Sequence, residues 1–149
     1  MRSEVTMGTV RVETTRFGTL EVDEGRIVNF PLGIPGFPNL KRFFLVDYRD
    51  PLKWLQAADD PGVAFIVVDP FLFFPDYSFV AGDDVEEFLQ VEENSDLVVL
   101  VILTVTEDSV TANLCAPILI NASKMIGLQC LLDEKTYPFR APLPRREKS

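Results

Sequence analysis

The titratable side chains of this 149-residue chain restrict its chemistry, because the sequence contains no histidine. Without an imidazole, neither a Ser-His-Asp nor a Cys-His arrangement can form within one chain. Acid–base catalysis would fall to the many carboxylates, which include the adjacent pairs Asp59 with Asp60, Asp83 with Asp84, and Glu92 with Glu93. Each pair lies in a predicted turn or helix beside other acids, where a solvated surface is the simpler interpretation. The sequence therefore indicates that the protein is not an enzyme. A carboxylate-based hydrolase is the alternative, and it would need two acids with perturbed pKa values in one pocket.

The sequence also gives little support for a metal or cofactor site. Cys115 and Cys130 have no CxxC spacing, and without histidine there are too few candidate ligands for zinc. We find no glycine-rich phosphate loop, and the acidic runs do not follow the calcium-loop pattern. We expect two buried, unreactive thiols, with a disulfide or a reactive thiol as alternatives, and no metal or cofactor.

A short aromatic stretch, DPFLFFPDY (Asp69–Tyr77), carries a stronger signal for binding than for catalysis. In an extended conformation, Phe71 and Phe73 would point to one face of the strand and Leu72 and Phe74 to the other. The wall of a barrel has only one core side. Two large apolar side chains would therefore remain near solvent unless another element covered them.

Pro75 reinforces this interpretation, because a proline cannot donate to a strand ladder and places its segment at a sheet edge. Exposed aromatic groups at an open edge would suit an added partner strand or a partner helix. The alternative is that both faces are covered by the Pro/Gly loop at 31–38 and by a helix at 84–90. We treat the lone Trp54, by contrast, as a core residue rather than an interface anchor.

The negative charge is concentrated in the middle of the chain. Residues 51–110 contain thirteen acids and a single base, Lys53, within a chain of net charge -9. Such a surface disfavours direct binding of nucleic acid, which requires Lys and Arg to neutralise phosphates. It would instead attract a basic protein. The C-terminal tail has the opposite character, with bases at Arg140, Arg145, Arg146 and Lys148.

The elements that position these residues are predicted to be mostly β-strands, because apolar and polar side chains alternate along most of the chain. TVRVET and TLEVD alternate around the turn RFG and predict a hairpin, and the apolar run Val63–Val68 predicts a central strand. In AGDDVEEFLQV the spacing becomes helical, with Asp83 or Asp84 as the N-cap and the acids Glu86 and Glu87 in the first turn. We predict a mainly β fold: a single antiparallel domain, barrel or sandwich, with one short helix.

Two features bear on localisation. The N-terminal MRSEVTMGTV lacks the apolar region of a secretory signal, and the longest apolar run, Leu97–Val105, is far shorter than the ~20 residues of a membrane helix. We therefore expect a cytoplasmic protein that does not bind membranes.

Taken together, several segments resemble the bacterial flagellar assembly factor family FliW. The resemblance covers residues 9–143, with an N-terminal extension at 1–8 and a basic tail at 144–149 outside it. The matching motifs are RFGTLEVDEGRIVNFPLGIPGFPNL from Arg16, WLQAADDPGVAF from Trp54, VVDPFLFFPDY from Val67, TANLCAPILIN from Thr111, GLQCLL from Gly127 and YPFRAPL from Tyr137.

This resemblance implies a β-barrel-like fold, no catalysis and two alternative protein partners. One is flagellin, held as by a chaperone, and the other is the carbon storage regulator, a basic RNA-binding dimer that represses flagellin translation. The factor would be an anti-repressor when free and would release the regulator when flagellin occupies it. The resemblance favours a noncompetitive mode of antagonism over a decoy that covers the RNA groove. Alternatives are an export-only flagellin chaperone and a structural subunit that assembles with itself.

The acidic surface would serve the regulator and the aromatic stretch would serve flagellin, on adjoining sites that one partner at a time can occupy. The candidate partner-binding residues are Asp59, Asp60, Phe71, Phe73, Phe74, Asp76, Tyr77, Asp83, Asp84, Glu86 and Glu87.

Overall fold

A computed structural model describes residues 8–144, and the predicted N-terminal extension and basic tail lie almost wholly outside this range. Within it the chain forms eleven strands and one α-helix: β1 (Thr9–Thr14), β2 (Gly18–Asp23), β3 (Val28–Asn29), β4 (Arg42–Asp47), β5 (Lys53–Ala57), β6 (Ala64–Val68), α1 (Asp83–Phe88), β7 (Leu97–Val105), β8 (Val110–Ala112), β9 (Ile118–Asn121), β10 (Ile126–Gln129) and β11 (Ala141–Pro142). Short 3-10 turns occur at Glu24–Arg26 and Pro70–Leu72.

The first two strands form the hairpin that the alternating pattern predicts. β1 and β2 pair antiparallel, with Val12 opposite Leu20. Gly18 begins the second strand with a φ of +69°, in the left-handed region that glycine adopts most easily. Val12 and Val22 are buried, and they pack in one cluster with Phe44 of β4. The hairpin therefore covers part of the outer face of the barrel.

Seven strands close into a ring. The hydrogen-bonded order runs β7, β6, β5, β4, β3, β10, β9. The ring is closed because β9 also pairs with β7. All of these pairings are antiparallel except the one between β3 and β10, where Ile126 lies opposite Asn29 in a parallel pair. β8 and β11 extend the sheet beyond β7. The prediction of a mainly β, barrel-like domain with one short helix is confirmed, and so is the central position of β6.

The interior of the ring is filled by large apolar side chains. Phe30 and Phe43 are completely buried and pack edge to face, with ring centroids 5.4 Å apart. Leu55 and Ile118 close the same cluster. Gly127 on β10 lies directly against the Phe30 ring, and a Cβ at this position would come within 2.7 Å of it. The core is thus packed without space for an additional methyl group at that point.

Trp54 is placed differently from the core position that we expected. Its strand neighbour Leu55 points into the barrel, so Trp54 faces outward, half-buried. It contacts the rings of Phe17 and Tyr48, and the Arg16 guanidinium lies 4.2 Å from its ring centroid. The tryptophan therefore belongs to an outer aromatic cluster that joins the hairpin to β5.

Helix α1 is present where the spacing predicts it, but its start differs in detail. Gly82, with a φ of +87°, occupies the N-cap, and neither Asp83 nor Asp84 caps the helix, as both lie within its first turn. The prediction of an aspartate N-cap is wrong, because the preceding glycine takes the non-helical conformation. No helix in residues 8–144 is long and apolar enough to cross a membrane.

Candidate partner-binding surface

The aromatic stretch at 69–77 follows β6 but does not continue it. Pro70–Leu72 forms a 3-10 turn, and the Asp69 carboxylate accepts a hydrogen bond of 2.9 Å from the backbone N–H of Phe71. An aspartate N-cap followed by proline favours this local turn over an extended strand. The prediction of an extended edge strand with alternating faces is therefore wrong.

The turn divides the aromatic residues into exposed and covered ones. Phe71 is 42% exposed and the adjacent Leu72 is exposed to a similar extent. Phe73 and Phe74 are half-buried and pack against the cluster beneath them. The alternative prediction, in which the loop at 31–38 and helix α1 cover both faces of the aromatic stretch, is also wrong. The covering partners of this cluster include Leu114, Phe79, Tyr137, Ala141 and Leu143.

Tyr77 is the anchor of the stretch rather than part of its exposed surface. Its side chain is buried, and its hydroxyl donates a hydrogen bond of 2.7 Å to the carbonyl oxygen of Leu114. Its ring packs at nearly a right angle against that of Tyr137. Burial raises the pKa of the Tyr77 phenol well above its usual range. A buried anchor of this kind holds the exposed Phe71 in place and does not itself meet a partner in this arrangement.

Helix α1 presents the acidic face that the sequence predicts. Asp83, Asp84, Glu86 and Glu87 are all exposed. The helix is held to the barrel by Asn121, a completely buried residue whose side-chain amide donates hydrogen bonds of 2.8 and 3.3 Å to the two carbonyls that follow the helix. The four carboxylates therefore occupy a fixed place on the surface.

An apolar groove, which the sequence did not predict, runs beside α1. Its floor is the outer face of β7 and β9, and its sides are the segment 79–81 and one side of α1 with the residues that follow it. The lining includes Phe79, Val80, Val85, Leu97, Val99 and Leu119. The groove has a volume of about 350 Å³. Val80 is 90% exposed and Leu97 is 50% exposed, so these apolar groups are open to a partner.

The aromatic stretch and the groove are joined by a continuous line of rings. The centroids of Phe71 and Tyr77 are 5.8 Å apart, and those of Tyr77 and Phe79 are 5.4 Å apart. Phe79 in turn lines the groove that Glu86 of α1 borders. The exposed aromatic residues and the acidic helix are therefore neighbours, with the groove between them.

Asp59 and Asp60 do not join this surface. They lie in the turn before β6, whereas the aromatic stretch begins after β6, about 16 Å away at ~3.3 Å per strand residue. Both oxygens of the Asp59 carboxylate accept hydrogen bonds from Arg42. This guanidinium lowers the pKa of Asp59. Asp60 accepts a bond from the backbone N–H of Gly62 and so shapes the turn. Of the other candidates, Asp76 is exposed within the aromatic stretch.

The acids and cysteines of the described residues form no cluster that could hold a metal ion. Among residues 8–144, no three Cys, Asp or Glu side chains come together as a possible metal site. Cys115 and Cys130 are both free thiols, Cys115 buried and Cys130 half-buried. Burial raises the pKa of each. A raised pKa makes them poor nucleophiles, because the thiolate is the reactive form.

Comparisons with known proteins agree with one another. A family model described as FliW protein matches residues 11–143. A flagellar assembly factor FliW of Caldanaerobacter subterraneus is 38% identical over 139 residues, which cover 90% of this chain and 93% of that protein. A flagellar assembly factor FliW of Caldicellulosiruptor bescii is 42% identical over 132 residues, covering 87% of each chain. A crystal structure of the flagellar assembly factor FliW superimposes with a TM-score of 0.85 at 37% identity, over 91% of this chain and 98% of that one.

Proposed function

The chain belongs to the FliW family of flagellar assembly factors, and from that premise we propose that it acts in the cytoplasm as a switch between two protein partners. One partner is flagellin and the other is the carbon storage regulator. When flagellin is exported, the free factor binds the regulator and relieves its repression of flagellin translation. The observation that carries this proposal is the adjacency of an exposed aromatic turn, an apolar groove and an acidic helix on one surface.

The acidic helix supports binding of the regulator, which is a basic RNA-binding protein. From Trp54 to Ser123 the sequence contains no Lys or Arg, so the chain on either side of α1 carries acids without a base of its own. The field of such acids accelerates the association of a basic partner and does so less at high salt. We expect the regulator's association rate to fall as ionic strength rises.

The exposed turn supports binding of flagellin through apolar contact. The Phe71 ring packs against that of the buried Tyr77, and Phe71 with the adjacent exposed Leu72 offers a preorganised apolar surface. Preorganisation favours binding because less side-chain freedom is lost. Because this surface continues into the groove beside α1, a bulky partner on one side would overlap a partner on the other. Mutual exclusion follows from that overlap.

Calorimetric titration tests the switch directly. The purified factor is titrated into the regulator at low and moderate salt, alone and with flagellin already bound. We expect salt-sensitive binding that flagellin abolishes. Binding to flagellin with no heat from the regulator would leave an export chaperone without a role in translation. A rise in mass with concentration in light scattering, without any partner, would support self-assembly instead.

Paired substitutions test whether the two surfaces are separate. Glu86→Lys with Glu87→Lys should slow binding to the regulator and leave flagellin binding nearly intact. The control pair, Glu107→Lys with Asp108→Lys, makes the same change in net charge in an exposed turn between β7 and β8. Equal loss of both partners in the α1 variant, or equal effects of the two pairs, would contradict a local acidic site.

The aromatic turn has a matched control of its own. Phe71→Ser should weaken flagellin binding and spare the regulator. Phe37→Ser is the control, because Phe37 is similarly exposed and also contacts one aromatic ring at 5.8 Å, that of Phe65 in the barrel. If both variants weaken flagellin binding equally, the turn is not the site.

The mode of antagonism is tested with RNA. In the noncompetitive mode, the factor weakens RNA binding by a finite ratio, and saturating RNA must weaken factor binding by the same ratio. A decoy that covers the RNA groove would instead give mutual exclusion without a plateau.

A further inference from the structure

We propose that the apolar groove beside α1 seats a short amphipathic α-helix of a partner protein, one that carries Lys or Arg beside its apolar stripe. This inference deepens the proposed function and rests on it only in taking the occupant to be a protein. It specifies that the bound segment of the partner is helical, and it names the residues of the groove that contact this segment.

The floor of the groove favours a helix over an extended strand. Leu97–Leu100 of β7 are already paired with Ile118–Asn121 of β9, and β9 is also paired with β10. A segment lying on the outer face of these strands must therefore satisfy its own backbone N–H and C=O groups. A helix does so internally, through its i to i−4 hydrogen bonds.

The size of the groove agrees with side-chain anchors of a helix. Its volume of about 350 Å³ is at the lower end of the range for ligand pockets, ~300–1,000 Å³. It would hold a few aliphatic side chains spaced at i, i+3 and i+4, which is the usual pattern of helix-in-groove recognition. The exposed Val80, of the segment 79–81, and Leu97, of β7, both line this space and would be covered by such a stripe.

The charges around the groove determine what must flank that stripe. Glu86 lines the groove, Glu87 is exposed on α1, and Asp96 immediately precedes Leu97. The nearby Lys124 is engaged with Glu92 at 2.9 Å and does not neutralise α1. Basic residues beside the stripe would meet complementary charge, whereas acidic ones would be repelled.

The test uses two fluorescently labelled synthetic peptides with the same leucine stripe, one with lysines and one with glutamates at the flanking positions. Fluorescence anisotropy should show saturable binding of the leucine–lysine peptide and binding at least about tenfold weaker of the leucine–glutamate peptide. In methyl NMR spectra, the shifts caused by the first peptide should be concentrated at Val80, Val85, Leu97 and Leu119.

Two matched pairs of variants locate the binding. Leu97→Gln should weaken binding of the leucine–lysine peptide about fivefold or more, whereas Val105→Gln, on the same strand and 55% exposed, should change it less than about twofold. Glu86→Gln should weaken it about threefold, and Glu107→Gln should not, at an equal change of net charge. Thermal unfolding of each variant confirms that the fold is kept.

Three results would overturn the inference: no saturable binding of the leucine–lysine peptide, equal binding of both peptides, or equal weakening by the variants and their controls. Neither flagellin nor the regulator is used in these peptide experiments. Each of these results would therefore show that the groove does not bind a helix, without deciding whether the protein switches between its two partners.

Discussion

Replacing Gly127 by alanine should destabilise the barrel, because its added Cβ has no room beside Phe30. The Cβ would lie 2.7 Å from two carbon atoms of that ring. The ring cannot move aside easily, since it is completely buried and packed edge-on against Phe43. Overpacking of this kind costs about 1–3 kcal/mol, and the reduced freedom of the unfolded chain offsets about 0.4–1 kcal/mol of it. We expect a net loss of about 1.3 kcal/mol, which is the difference between the midpoints of these two ranges.

Urea denaturation of the Gly127→Ala variant measures this loss as a lower midpoint with an unchanged slope. Gly62→Ala is the control, because its Cβ would meet its nearest neighbour, an Asp60 oxygen, at an ordinary 3.7 Å. A Phe30→Leu background should relieve the crowding, so that the double variant is more stable than the sum of the single effects by about 0.5 kcal/mol or more. A Gly127→Ala protein as stable as the parent, or strictly additive effects, would refute the reasoning.

Three further predictions concern Asn121, Tyr77 and the ion pair between Arg42 and Asp59. Asn121→Ala should lower stability by about 1–3 kcal/mol, because the buried carbonyl of Leu89 and the partly buried carbonyl of Gln90 lose their donor. Amide exchange of α1 should accelerate while that of the β1–β2 hairpin does not. Burial raises the pKa of Tyr77, so stability should fall above about pH 10, where the unfolded chain loses a phenolic proton that the folded protein retains. Tyr77→Phe should reduce this loss of stability at alkaline pH. An unchanged pH–stability curve in the variant would contradict the attribution of the loss to Tyr77. Arg42→Gln should raise the pKa of Asp59 in an NMR titration, and should lower stability by no more than about 1 kcal/mol, since the pair is exposed. The contribution of this lowered pKa is present at neutral pH and disappears as pH falls through the folded-state value of Asp59, so the parent and the variant should converge in acid.

Side-chain periodicity was sufficient to predict most strands but not the closure of the ring. Alternation identifies β1 and β2, and the doubly apolar run identifies β6, because those patterns reflect which faces are buried. The ring is completed by a parallel pairing between Asn29 and Ile126. A two-residue strand such as β3 has too few residues for its pattern to select a distant parallel partner.

The candidate surface was predictable in composition but only partly in shape. The acidic side chains of α1 are outward, as helical spacing predicts, whereas Asp59 and Asp60 lie at the other end of β6. The aromatic stretch begins with Asp69 followed by Pro70. This pair favours a capped turn over an extended strand, and the signal was present in the sequence. The groove could not be predicted, because its lining comes from separate segments that only the closed ring brings together. Val80 was the available clue, an apolar residue in a segment with no strand or helix pattern.

The closed ring also bears on how the two partners would exclude each other. Each of its seven strands is hydrogen-bonded to a neighbour on both sides, including the second pairing of β9 with β7, so no ring strand can move without breaking ladder bonds. α1 is fixed by the buried Asn121, and the aromatic turn is fixed by the buried Tyr77. With α1 and the aromatic turn both held by buried hydrogen bonds, the proposed competition between partners would need no rearrangement of the factor. Under the proposed function, the switch would depend on which partner occupies the space beside α1, and its sensitivity would be determined by salt and by the supply of free flagellin rather than by a change of fold.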